Sequence, residues 1–209
     1  MSRGLSTNRR LTAKASCLAQ AGIDFAARYY SAHTHQPEKA LTADEAKTLC
    51  DADIQLVVVY EDGPTDSSYF SKQRGQQDGQ AALAAANGIT QPLGTTIYFA
   101  VDYDASVADV SGPIADYFDG VAAAIHQSNP AAPPYLIGVY GSGRCCKFLK
   151  DNGKAIKTWL AESTGWAGYA TFAEYDIKQK KLASAVCGLD SGGAEDNEGK
   201  PSMGAFTVG

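Results

Sequence analysis

The sequence predicts an α/β fold: a single TIM-like (β/α) barrel spanning residues 1–209, built from five strand–helix pairs followed by three helix-poor strands. Three observations predict it. First, the run from Thr95 to Asp104 (TTIYFAVDYD) is apolar, rich in β-branched and aromatic residues, and ends in two carboxylates two residues apart. It reads as a buried strand with a site at its carboxyl end. Second, the run from Ile54 to Glu61 is continuously apolar, the pattern of a strand covered on both faces, and it too ends in a carboxylate. Third, helical segments separate the early strand candidates. Such crossovers are right-handed and impose parallel pairing, and eight strands of this kind fit a closed barrel better than an open sheet.

Taken in order, Arg3 to Thr7 is the first strand, followed by a helix from about Thr12 to Ala21 that Gly22 stops. Ile23 to Tyr30 is the second strand. Leu41-Thr42-Ala43-Asp44-Glu45 opens the second helix with capping-box spacing from Thr42 to Glu45. After the third strand, a helix rich in Ala, Gln and Leu runs from about Ser71 to Asn87, and Asn87-Gly88 closes it. Asp109 to Gln127 is helical by pattern and is broken by Asn129-Pro130 and Pro133-Pro134. Tyr135 to Tyr140 is the next strand, and Gly141-Ser142-Gly143 turns into a short helix around Arg144 to Lys150. Beyond Lys157 to Glu162 the pattern changes. The remaining strand candidates, near Ala173 to Gln179 and Val186 to Leu189, have no convincing helices between them.

Composition narrows the function. With 18 basic residues dispersed along a chain of net charge −5, no basic stripe is available for a nucleic-acid backbone. The longest apolar runs are too short for a transmembrane segment. Met1 to Arg10 is polar and lacks the apolar core of a classical signal peptide, so export would use a non-classical route or a segment missing from this sequence. Five cysteines, odd in number and without metal-ligand spacing, are expected to be reduced packing thiols.

Side chains alternate along a strand, so Asp102 and Asp104 share a face with Tyr98 and Ala100, while Ile97, Phe99, Val101 and Tyr103 face the other way. Paired-carboxylate acid–base chemistry needs one carboxyl held protonated and a second held ionised. Asp102, Asp104 and Glu61 can supply both. Neighbouring strands lie about 4.8 Å apart, which would put Glu61 and Asp104 in one small volume, where like charges raise the pKa of one member. The alternative is a pair of exposed turn aspartates capping the next helix. Tyr98, Tyr140, Trp159 and Trp166 are candidate ligand-stacking rings, with Tyr103 and Tyr175 behind them. Trp166 is the foremost because its glycine-flanked loop is hard to bury, and the competing reading packs most of these rings under helices. Arg28 is expected to pair with the mouth carboxylates. His33 and His35 could start a metal site, but the remaining histidine, His126, falls on a helix, so neither a metal nor a cofactor is expected. Cys145-Cys146 opens a helix without a histidine placed to act as base. The run Lys178 to Lys181 reads as a solvated edge that could meet an anionic polymer.

The segments FAARYYS (25–31), KALTADEA (39–46), VYE (59–61), IYFAVDYD (97–104), GVYGSG (138–143) and WLA (159–161) resemble the DUF1906 family of bacterial, Rv2525c-like, glycoside-hydrolase-like barrels. More distantly they are similar to the family 25 lysozymes, which cleave peptidoglycan glycan strands. The resemblance implies a barrel of five strand–helix pairs plus three strands, and bacterial cell-wall glycan as the partner. It implies Asp104 as proton donor, at the position of the lysozyme Asp-x-Glu, with Asp102 as its charged partner. It also implies an acid, Asp190, from the last strand near the mouth. The first strand of these families carries an acid where this chain has Ser6, and a non-catalytic carbohydrate-binding barrel is the alternative function. Released reducing ends separate the two.

Overall fold

The computed structural model describes residues 1–127 and 135–209. The helix break expected at Asn129-Pro130 and Pro133-Pro134 lies outside the described residues. Eight strands close a barrel in sequence order. They are β1 (Ser2–Thr7), β2 (Phe25–Tyr30), β3 (Gln55–Tyr60), β4 (Thr96–Ala100), β5 (Leu136–Gly141), β6 (Lys157–Leu160), β7 (Ile177–Lys181) and β8 (Ala194–Gly199). The helices between them are α1 (Ala15–Gln20), α2 (Ala43–Asp51), α3 (Lys72–Gly88), the single turn α4 (Val107–Asp109), α5 (Ala115–His126) and α6 (Gly143–Asp151). Five strand–helix pairs and three strands without intervening α-helices therefore stand as the sequence predicts.

The predicted faces of β4 also hold. Tyr98 and Ala100 join Phe25, Ala27, Val57, Val59, Trp159, Ile177 and Met203 inside the barrel, while Ile97, Phe99 and Val101 pack outward under the helices. α3 and α5 touch at backbone distance: a Cβ on Gly75 would stand 2.0 Å from the Tyr117 carbonyl oxygen, and one on Gly120 would stand 2.1 Å from that of Lys72. Only glycine fits at such a crossing. Below the barrel the C-terminal segment seals the interior, with Leu56 bridged to Phe206 and the Tyr98 hydroxyl donating to the Met203 carbonyl at 2.8 Å.

Three expectations are corrected. The eighth strand is Ala194–Gly199, whereas Val186 and Leu189 merely bridge each other across a tight turn. β8 was illegible because AEDNEG carries no apolar alternation; its inward residues meet polar partners instead. Its direction also differs, since β8 runs antiparallel to both β7 and β1. The link from Lys181 to Ala194 turns at the mouth and contains no crossover to carry the chain back to the bottom, so an antiparallel return is its only course. Finally, the cysteines are not all reduced. Cys17 on α1 is bonded to Cys187 in the β7–β8 connection, with Cα atoms 5.9 Å apart. A separation of 170 residues hides such a pair from spacing arguments. Cys145 and Cys146 are buried thiols, as is the half-buried Cys50 in part. Burial drives Cys145 well above the normal thiol range and Cys146 up to about 12, so neither is a nucleophile at neutral pH.

Candidate functional site

The parallel strands all open toward one end, and the antiparallel β8 begins there. A pocket of about 450 Å³ lies at this mouth, lined among others by Asn8 after β1, Tyr29 on β2, His35 and Lys39 in the β2–α2 connection, Glu61 after β3 and Glu195 on β8. This is the end where barrels of this class place ligands. Lys39 reaches from its connection to put Nζ 2.7 Å from a Glu61 carboxylate oxygen and 4.8 Å from the centre of the Tyr29 ring.

Four carboxylates converge here. Asp102, two residues past the end of β4, is held by its backbone N–H, which donates to the Pro64 carbonyl at 2.9 Å. Burial first, and then the Glu61 charge, push its carboxyl up to about 6 against the opposing pull of Lys39. Glu195 is also raised, by burial and by Glu162, Glu61 and Asp102, with the Ser6 hydroxyl working the other way. Tyr29 and Tyr140 form the floor, and their hydroxyls are pushed up first by burial and further by Asp102, Glu61 and Glu195.

Beneath the acids the barrel interior is polar along the β6–β7–β8–β1 side. Ser6 donates its hydroxyl to Glu195 at 2.9 Å, and the same oxygen accepts from the Asn197 amide at 2.9 Å and the Gln179 amide at 3.3 Å. Gln179 in turn accepts from the Tyr140 hydroxyl and the Glu162 backbone N–H, and Asn197 accepts from the Trp159 indole. One hydroxyl thus uses its single proton on Glu195 and both lone pairs on amides.

The structure brings together Glu61, Asp102 and Ser6 but not every residue named from the sequence. Asp104 is exposed, and its carboxylate accepts from the Ala167 N–H at 2.9 Å. β4 ends at Ala100, so strict alternation does not carry Asp104 onto the face of Asp102. Asp190 is an exposed turn residue ahead of β8, accepting from the Gly192 N–H at 3.1 Å. Arg28 is fully buried below the mouth; it bonds Glu45 at 2.9 Å, the Thr7 carbonyl and the Glu38 carbonyl, tying β1, β2 and α2 together. Its partner Glu45 leaves the predicted capping box half-formed. Thr42 still accepts from the Glu45 N–H, but the Glu45 carboxylate turns to Arg28 and the Leu11 N–H. Tyr98 lies in the barrel bottom, while Tyr140 and Trp159 pack edge to face, 5.2 Å between centres, under the carboxylates. Trp166 is half-buried in the β6–β7 connection beside Ala167. Tyr103 packs on Phe70, and Tyr175 lies under Lys200.

Sequence reasoning missed Glu195, Glu162, Lys39 and Tyr29. Glu195 sits in a strand without periodicity, and Lys39 in a connection whose path the sequence does not give. His33 and His35 are exposed, and no group of three or more metal-ligating side chains forms among the described residues. A further carboxylate acts as a clamp beside the site. Asp62 accepts from the Ser31 and Tyr60 hydroxyls and the Ala32 and His33 N–H groups, pinning the start of the connection that carries His35 and Lys39. No helix among the described residues is long and apolar enough to cross a membrane.

Comparison with known proteins gives this mouth its context. The uncharacterized protein YbfG of Bacillus subtilis is 39% identical over 127 residues, covering 59% of this chain and 17% of its own length. The uncharacterized protein FadG of the same organism is 28% identical over 192 residues, covering 88% of this chain and 32% of its own. The chain therefore spans less than a third of either relative. Among solved structures, the Tat-secreted protein Rv2525c of Mycobacterium tuberculosis, in complex with L-tartrate, superposes with a TM-score of 0.81 at 21% identity over 98% of both chains. The autolysin LytC of Streptococcus pneumoniae, in complex with a synthetic peptidoglycan ligand, gives 0.60 at 12% identity over 93% of this chain and 46% of its own. A family 25 glycosyl hydrolase of Bacillus anthracis gives 0.54 at 10% identity over 94% and 88%. These share the barrel, and the family model that matches residues 16–192 names it: the chain belongs to the Rv2525c-like, glycoside hydrolase-like domain family.

Proposed function

We propose that this domain hydrolyses a bacterial cell-wall glycan, peptidoglycan or a related polysaccharide, by carboxylate acid/base chemistry. The observation that carries the reading is the pairing of Asp102, whose carboxyl holds its proton up to about 6, with the Lys39-bound carboxylate of Glu61 at the mouth of a lysozyme-like barrel. Asp102 donates its proton to the departing glycosidic oxygen. Glu61 faces the positive charge that develops on the sugar ring as that bond breaks; water then adds to the anomeric carbon and gives up a proton that restores the Asp102 carboxyl. Because Asp102 is half-buried and next to another carboxylate, it keeps its proton where a solvated aspartate would have lost it. Asp104, held by the Ala167 N–H, positions the connection bearing Trp166. The donor role thus falls to Asp102, which the Asp-x-Glu match gave as the charged partner of Asp104.

The proposed wall substrate draws support from the fold shared with LytC. Export is part of the same proposal, supported by the fold shared with a Tat-secreted protein and by the Cys17–Cys187 bond, which persists in oxidising compartments. A glycan-binding barrel without turnover is the second reading. One observation favours it: β1 offers the mouth Ser6 rather than an acid.

The test is incubation with purified peptidoglycan and mass analysis of the soluble products. New sugar reducing ends are expected. Asp102→Asn should lower their release by about 100- to 10,000-fold with glycan binding retained, and Asp104→Asn by far less. If Asp104→Asn is the more damaging change, the donor is Asp104. Retention on sacculi without any new ends establishes the binding barrel, and released peptides would overturn both readings.

A further inference from the structure

The pocket does not end at the acids. A second space of about 640 Å³ adjoins it and shares Asn8, His35, Gln36 and Gly192 with it, so the two form one cleft. The charged side chains of the two spaces differ. The inner pocket holds Lys39, Glu61 and Glu195, whereas the arm is lined by Arg9 and Glu38, with His35 shared by both.

Arg9 is exposed, and among the described residues no carboxylate lies within ion-pairing distance of it. Its neighbourhood is nevertheless built. Its backbone N–H donates to the Thr7 hydroxyl, which donates to the Gly193 carbonyl at 2.5 Å, locking the β1–α1 connection to the start of β8. Gly193 leaves the room in which the guanidinium lies: a Cβ there would stand 2.8 Å from Arg9 Nε. On the facing wall the Asn8 amide donates to Gln36 at 3.1 Å, and the Arg10 guanidinium bonds the Pro37 carbonyl and the Thr42 hydroxyl. Arg10 and Lys14, next along the chain, also lack a carboxylate partner among the described residues; Lys14 bonds the Cys187 carbonyl.

From the continuity of this cleft with the acid pocket and the unpartnered guanidinium over Gly193, we infer that the outer arm binds a carboxylate-bearing sugar of the glycan, with Arg9 as its principal ligand. The inference rests on the glycan reading above and names the substrate class within it. A planar guanidinium with free donors matches a carboxylate with two parallel hydrogen bonds, which a neutral sugar cannot supply. The division of labour follows: the inner acids would repel an anionic substituent, and the arm holds it away from them.

Binding is measured by calorimetry in the Asp102→Asn background, so that the probes are not consumed. The probes are a tetrasaccharide containing muramic acid, with its lactyl carboxylates, and the neutral N-acetylglucosamine tetramer. The acidic probe is expected to bind at least about tenfold more tightly. Arg9→Gln should remove that advantage while leaving the neutral probe unchanged, and Arg9→Lys should keep part of it. Equal affinity for the two probes overturns the acidic arm while leaving the glycan reading standing. An equal loss for both probes in Arg9→Gln makes Arg9 structural and also overturns it. If neither probe binds, the glycan reading fails and the arm with it.

Discussion

Ser6 and Glu195 are directly opposite each other across the antiparallel β1–β8 seam, and the serine hydroxyl donates to the glutamate at 2.9 Å. The position where related barrels are expected to carry an acid is thus occupied by a donor that supports another acid one strand away. Removing the hydroxyl should leave a half-buried carboxylate short of a donor and the Asn197 and Gln179 amides without a shared acceptor. We expect Ser6→Ala to cost about 1–3 kcal/mol in urea unfolding. A cost below about 0.5 kcal/mol would show that the network does not depend on Ser6.

Asp102 makes stability and chemistry compete. Its folded value of about 6 lies above the unfolded value near 3.9, so the folded state binds the proton more tightly. That contribution is fully present below about pH 4 and is lost as pH rises through about 6. At about pH 7.5 the folded protein carries an ionised, half-buried carboxylate, and Asp102→Asn should therefore stabilise it by about 1–3 kcal/mol while lowering turnover by about 100- to 10,000-fold. At about pH 4 the stabilisation should vanish. Thermal melts of both proteins at the two pH values decide it, and a shift of the same size at both would contradict the assignment.

Lys39 should tune the same proton. Its charge lowers the Asp102 value, so Lys39→Met should raise it and move the alkaline limb of the pH–rate profile upward by a few tenths to about one pH unit. Turnover below that limb should fall, because Glu61 loses the ammonium 2.7 Å away. A limb that stays in place would mean that Asp102 is not the group titrating there.

The Cys17–Cys187 bond staples α1 to the connection that ends in the pocket-lining residues Gly192 and Gly193. Closing a loop of this length restricts the unfolded chain strongly, so replacing both cysteines with serine should cost about 2–5 kcal/mol. Equal urea midpoints for parent and variant, both under oxidising conditions, would rule out that contribution. Cys145 and Cys146, fully buried, should resist alkylation in the folded protein while reacting once it is unfolded.

Asp104 and Trp166 are tested together. Asp104→Ala frees the Ala167 N–H and should raise KM more than it lowers kcat if the β6–β7 connection only positions sugar. A pure loss of kcat would return Asp104 to the chemistry.

Much of this protein was determined by local pattern alone. Continuous apolar runs such as Leu56 to Tyr60 can only be doubly covered strands, and the five helices that follow strands dictate parallel crossovers, so the barrel and the mouth with Glu61 and Asp102 were legible in the chain. The tertiary structure decided what local pattern does not encode. β8 has no apolar period because its inner face bonds Ser6 and its outer face pairs with Arg3 and Lys180, partners that exist only once the barrel closes. Arg28 went to Glu45 rather than to the mouth because burial of a guanidinium requires a carboxylate where the charge lies, and Glu45 stood there. Asp102 and Asp104 parted because alternation lasts only as long as the strand. The disulfide, the Lys39–Glu61 pair and the arm that holds Arg9 all join residues distant in sequence, and only the closed fold sets their distances.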